Sequence, residues 1–170
     1  MVPDLYKNAT ATNFDSLCID KLAENLADKY LYNPGDEVLP VVKRMGGVIE
    51  YKNFHEWEKT HDGSILVDGP EDFVIYLSNF HGPLRNRFRI MHEVGHYILH
   101  SESGKKKIKA ARFGDTLVER EANQFAASFL MPKERFLEEW NKNKSLIDLT
   151  SKFLVSLTAA RVRLSYLGVY

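Results

Sequence analysis

Cysteine is nearly missing from this chain. Cys18 is the only one in 170 residues, which excludes an internal disulfide and suits a reducing compartment. No histidine stands near it in sequence, so it reads as a small helix residue and not as a nucleophile. A net charge is missing too. Lysine and arginine total 23, as do aspartate and glutamate, so no overall field draws the chain to nucleic acid or to a membrane surface. No apolar run approaches the roughly eighteen residues needed to span a bilayer, and the N-terminal region lacks a leader pattern. The expectation is a cytoplasmic protein with no membrane partner. Repeats and low-complexity segments are absent as well. What remains has the length of one domain with a small helical appendage, and enough apolar residues for a real core.

The order of elements follows from periodicity and punctuation. Residues 1–13 read as a loose lead-in. Ile19, Leu22, Ala23, Leu26 and Tyr30 recur at helical spacing from about Asp15 to Tyr32, with Asp15 or Ser16 as the cap. A short helix is expected over Asp36 to Met45, stopped by Gly46-Gly47. The period then changes, and Val48 to Tyr51, Ile65 to Val67 and Phe73 to Leu77 read as three strands. Between the first two, a polar stretch carries His55 and His61, both read as solvated. Further helices are expected over Thr116 to Leu130, from Pro132 through Trp140, and from Ser145 to Leu167 with a break near Val155-Ser156. The lysine-rich run from Ser101 to Asp115, with Arg112, reads as a solvated loop.

The chemistry is concentrated in RFRIMHEVGHYILH, Arg87 to His100. It contains HExxH as His92, Glu93 and His96. Residues four apart share a helix face, so both imidazoles can reach one ion. Two histidines and one carboxylate from elsewhere form the three-ligand zinc site with an open fourth position that hydrolysis requires. Glu93, beside the first histidine, is then the general base. Gly95 inside the motif costs roughly 1 kcal/mol against alanine, which suggests that another backbone or a ligand comes close.

Three residues compete to be the third ligand. On a straight helix His92 and His100 stand about 12 Å apart, too far to share an ion, so His100 reads as a helix-end residue near the negative end of the dipole. Glu119, in EREANQFA, shares a face with Asn123 beside the small residues Ala122 and Ala126. That face can pack on the HExxH helix, deliver Glu119 to the metal and let Asn123 accept the outer N–H of a liganding histidine. Glu121 points about 200° away and reads as an exposed helix carboxylate. Glu119 is favoured.

Three separated segments agree in order with a known family. RFRIMHEVGHYILH, EREANQFAASFLMP and LTSKFLVSLTAARVRLSYLG resemble the ImmA/IrrE family of small zinc metallopeptidases, in which HExxH is completed by ExxA(N/D). Only Arg89 and Met91 depart from the commoner residues, which changes packing and not chemistry. The resemblance implies an α+β, zincin-like fold, with a small three-stranded sheet packed on the HExxH helix. It implies zinc held by His92, His96 and Glu119, with Glu93 as the catalytic carboxylate. Residues 1–140 would form the metallopeptidase domain. Residues 141–170 would be a helical tail, packed on it or helix-turn-helix-like. The implied substrate is a helix-turn-helix repressor, cleaved to relieve repression of mobile-element or stress-response genes. His81, Arg87, Tyr97 and His100 are candidate donors to the tetrahedral oxyanion. Phe73 to Leu77 is expected to be an edge strand along which substrate lies.

A different class competes. The tail carries Lys142, Lys144, Lys152, Arg161 and Arg163 against Asp148, with a possible turn at Val155-Ser156. On that reading the chain is a DNA-binding or repressor-binding regulator with a structural or metal-sensing zinc.

Overall fold

The computed structural model describes residues 5–53, 56, 64–110 and 116–170. The stretch with His55 and His61, and Arg112 of the basic run, fall outside these residues. Among the described residues the fold is α+β, with a five-stranded mixed sheet and seven helices.

Helix α1 (Ser16–Lys29) starts where the Asp15 carboxylate accepts from Cys18 N at 2.7 Å, a side-chain cap on an otherwise orphaned donor. It buries Ile19, Ala23, Leu26 and Ala27. Helix α2 (Leu39–Arg44) has proline in its first turn and ends at Gly46, whose φ is +81°. A Cβ there would stand 2.0 Å from Glu71 O, so only glycine fits.

The strands are β1 (Lys7–Asn8), β2 (Gly47–Lys52), β3 (Ile65–Gly69), β4 (Asp72–Ser78) and β5 (Ile108–Ala110). Their order is β1-β5-β3-β4-β2. The outer pairs β1–β5 and β2–β4 are parallel, and the inner pairs are antiparallel.

Four sequence expectations change here. The sheet has five strands and not three. Phe73 to Leu77 lies in β4, between β3 and β2, so the edge on that side is β2. The lead-in is not loose throughout, because Lys7 and Asn8 pair with Ile108 and Lys109. That pairing also makes part of the lysine-rich run a strand, with Ile108 and Ala110 buried. Short parallel strands like these carry too few residues to show a period of two.

Helix α3 (Pro83–Gly95) begins with Pro83 after Gly82 and continues through a wider π-helical turn over His96–His100. Helix α4 (Leu117–Leu130) is capped by Thr116. The two helices cross at Gly95, where an added Cβ would meet Ala122 Cα and O at 3.2 Å and Phe125 Cβ at 3.3 Å. The absent side chain lets the HExxH helix and the glutamate helix approach closely.

Helices α5 (Lys133–Asn143), α6 (Leu146–Phe153) and α7 (Leu157–Tyr166) complete the chain. Phe136, Leu149, Phe153 and Leu164 are fully buried and share one core cluster with Phe73, Ile75 and Leu77 of the sheet. Each such side chain contributes about 1.5–3 kcal/mol by leaving water. The basic tail is largely accounted for. Lys142 and Lys152 both pair with Glu139 at 2.7 and 2.5 Å. Arg163 is buried, with Nε donating to Met131 O at 3.1 Å.

Candidate metal centre

Helix periodicity and the Gly95 crossing bring three donor groups to one point. His92 Nε2 lies 3.1 Å from His96 Nε2 and 3.1 Å from Glu119 Oε2, and His96 Nε2 lies 3.4 Å from Glu119 Oε1. A tetrahedral zinc with bonds near 2.0–2.1 Å separates its ligand atoms by about 3.3 Å. The two imidazole nitrogens stand near such an edge, and each has one oxygen of the Glu119 carboxylate at a similar distance, Oε2 for His92 and Oε1 for His96. Among the described residues His92, His96 and Glu119 are brought together as a group able to hold a metal ion.

Burial and charge support that reading. Desolvation alone would raise the Glu119 carboxyl, but hydrogen bonds from His92 and His96 outweigh it and hold the pKa at about 2. Burial opposes a charge on His92 too, yet Glu119 and Glu93 prevail and raise its pKa. The pocket therefore favours positive charge between its donors. Glu93 is buried, and its Oε2 has no hydrogen-bond partner among the described residues. An orphaned carboxylate oxygen beside a ligand cluster fits a group whose partner arrives with metal and water.

The outer ring nitrogens are settled by their neighbours. His92 Nδ1 lies 2.9 Å from Asn123 Oδ1. An amide oxygen only accepts, so Nδ1 carries a proton and Nε2 is the nitrogen left to face the cluster. Asn123 thus stands where the sequence reading puts it.

His96 has a longer support that the sequence reading missed. Its Nδ1 lies 2.9 Å from His100 Nδ1, and His100 Nε2 lies 2.9 Å from Glu121 Oε2. Glu121 also accepts from Thr12 N at 2.9 Å, Thr12 Oγ1 at 3.0 Å and Asn13 N at 2.9 Å. Burial and the neighbouring His96 lower the His100 pKa, which keeps its ring neutral. Burial opposes ionisation of Glu121, but donors from Thr12, His100 and Asn13 lower its pKa. Every proton then has a place. With Nε2 turned to the cluster, His96 donates to His100 and His100 donates to the carboxylate.

One expectation is corrected by this chain. Glu121 is 3% exposed and is not a solvated helix carboxylate. It does point away from Glu119, but that direction leads inward, to residues 12 and 13. His100 is the last residue of the helical segment, as its position suggested, and it is also 2% exposed, with its ring held between His96 and Glu121. One signal was available: His96 and His100 are four apart, the same spacing that joins His92 to His96.

Of the four candidate oxyanion donors, three have other partners. Tyr97 Oη accepts from Glu71 N and donates to Ser103 O, and its ring stacks on Phe73. Arg87 donates to Tyr32 Oη at 2.6 Å. His100 belongs to the chain just described. That leaves His81, partly exposed, with its ring 4.6 Å from that of Phe80.

Comparison with known proteins bears on the fold and the family. A Mycobacterium tuberculosis transcriptional regulator of solved structure has a similar fold, with a TM-score of 0.57 at 19% identity. The match covers 88% of this chain and 46% of that one, so the chain spans less than half of that protein's length. No curated protein sequence matches. The model of the IrrE N-terminal-like domain matches residues 42–165, well over half of the chain and the whole of the donor cluster. By that match, the chain belongs to the Peptidase_M78 family.

Proposed function

We propose that this chain is a zinc-dependent endopeptidase with zincin-like packing, acting in the cytoplasm on a helix-turn-helix transcriptional repressor. The observation that carries the reading is the donor cluster of His92, His96 and Glu119, one ligand atom from each lying within 4.8 Å of the others, with buried Glu93 beside it. Zinc bound there would polarise a peptide carbonyl and lower the pKa of an attacking water. His92, His96 and Glu119 hold the ion. Asn123 and His100 keep the two imidazoles in the tautomer that offers Nε2. Glu93 accepts the proton of the attacking water and returns it to the leaving amide nitrogen. The choice of a repressor as substrate is supported by the family resemblance and by the name of the regulator that shares the fold.

The test is metal stoichiometry by native mass spectrometry, followed by cleavage of candidate repressors. Wild type should carry a single zinc, and Glu119→Ala should lose it. Glu93→Gln should keep the metal and lose cleavage by about 10²–10⁴-fold. A folded, zinc-supplied wild type that binds no zinc would sink the reading.

One observation favours the regulator reading. Helices α6 and α7 are joined by Leu154, Val155 and Ser156, with Leu154 in the left-handed region at φ 48°. That is the connectivity of a helix-turn-helix, without the usual glycine. Against it, Lys142, Lys152 and Arg163 are already engaged within the fold. Duplex DNA binding at low salt that persists after zinc removal would favour the regulator over the peptidase.

A further inference from the structure

Between α3, α4 and α7 lies a cavity of about 960 Å³, at the upper end of the roughly 300–1,000 Å³ typical of ligand sites. Its α3 wall is formed by Leu84, Arg85, Phe88 and Arg89. These positions fall on one helix face, and the next turn of that face is His92. Its α4 wall includes Asn123, the residue hydrogen-bonded to His92. The cavity and the candidate metal centre therefore share a wall.

The lining combines two chemistries. Leu84, Val162 and Tyr166 keep 38, 63 and 46% of their surface exposed and stand with Phe88 and Ala159 around the cavity. Arg85, Arg89 and Arg120 line it as well, and among the described residues no aspartate or glutamate does. Buried Arg163 also contributes to the wall; its Nη1 lies 3.8 Å from Asp20 Oδ1, and its Nη2 has no hydrogen-bond partner among the described residues. An apolar surface whose charged lining residues are arginines, Arg85 and Arg120 the exposed ones, selects a ligand that is apolar and acidic at once. A nucleic-acid backbone would meet the arginines but leave Leu84, Phe88 and Val162 without apolar contacts.

We propose that this groove docks an acidic, apolar segment of the protein substrate, adjacent in sequence to the bond presented at His92, His96 and Glu119. The inference rests on the peptidase reading and adds to it a substrate class: repressors in which leucine-like residues and carboxylates flank the cleavage site.

The experiment is a fluorescence-anisotropy titration of the full, zinc-loaded chain with labelled short peptides. One pool contains leucine and glutamate in random order, a second has lysine for glutamate, and a duplex oligonucleotide is the third probe. The glutamate pool should bind, more weakly as salt rises, and the lysine pool should not. Arg85→Glu should weaken binding about tenfold and Val162→Asn about fivefold. Both positions are exposed, so the fold should tolerate these changes. Equal binding by wild type and both variants overturns the proposal, as does a duplex that binds more tightly than the peptides and is lost in the same variants. Binding should persist in Glu93→Gln and without zinc, since no groove residue is a ligand. Groove-dependent binding without cleavage of any repressor would sink the peptidase and keep the docking site. Undiminished cleavage of an acidic repressor by both variants would do the reverse.

Discussion

The two histidines of HExxH occupy the same helix face and present the same atom, yet they are held in opposite ways. His92 leans on one side chain, Asn123, at the rim of the site. His96 leans on a buried succession of His100, Glu121, Thr12 and Asn13 that ends in the N-terminal segment. The first support is local and can be lost without disturbing the core. The second ties the site to residues more than a hundred positions away in sequence. A metal motif that looks symmetric in sequence is thus half rim and half interior.

The largest break in that comparison should come from Glu121→Ala. It leaves a buried imidazole N–H and two backbone N–H groups without an acceptor. The metal-free protein should lose about 3 kcal/mol in chemical denaturation. Zinc affinity, by chelator competition, should fall about 10–100-fold. Asn123→Ala should be the milder counterpart. Its affinity should drop about tenfold, with stability changed by less than about 1 kcal/mol. Equal stability losses in the two variants would erase the distinction between rim and interior.

The smallest effect should come from Tyr6, whose hydroxyl donates to Asp68 at 2.7 Å and helps hold the N-terminal segment down. The hydrogen bond to Asp68, helped by burial, pushes its pKa up to about 12. A raised pKa means that the bond stabilises fully below pH 10 and is lost as pH rises through about 12. Tyr6→Phe should therefore be slightly less stable than wild type at neutral pH. The two should converge in thermal melts as pH climbs from 10 towards 12, and a gap that widens there would contradict this.

Much of the site could be read from residues alone because its signals are local. HExxH, the glutamate–asparagine pair at i,i+4 and Gly95 each work within a turn or two of helix. Their meeting required one long-range inference, the packing of α3 on α4, and small Ala122 advertised it. The rest was not legible for a physical reason. Glu121 has the same composition and local context whether it faces water or the interior. Only the position of residues 12 and 13 decides, and nothing in a short polar stretch foretells where it docks. The sheet edge failed similarly, since β4 and β2 are both short apolar runs and strand order is set by pairing across the fold.

The π-helical turn makes the interior support depend on winding. Ser101 N donates to His96 O at 3.1 Å, five residues back, so the helix holds more residues per turn here than an α-helix would. Over four residues an α-helix turns through about 400° and this wider turn through roughly 330°. Ordinary winding across Tyr97, Ile98 and Leu99 would therefore swing His100 by about 70° around the axis, away from its present place between His96 and Glu121. The identity of those three residues matters for the core. Their winding is what aligns the histidine ladder.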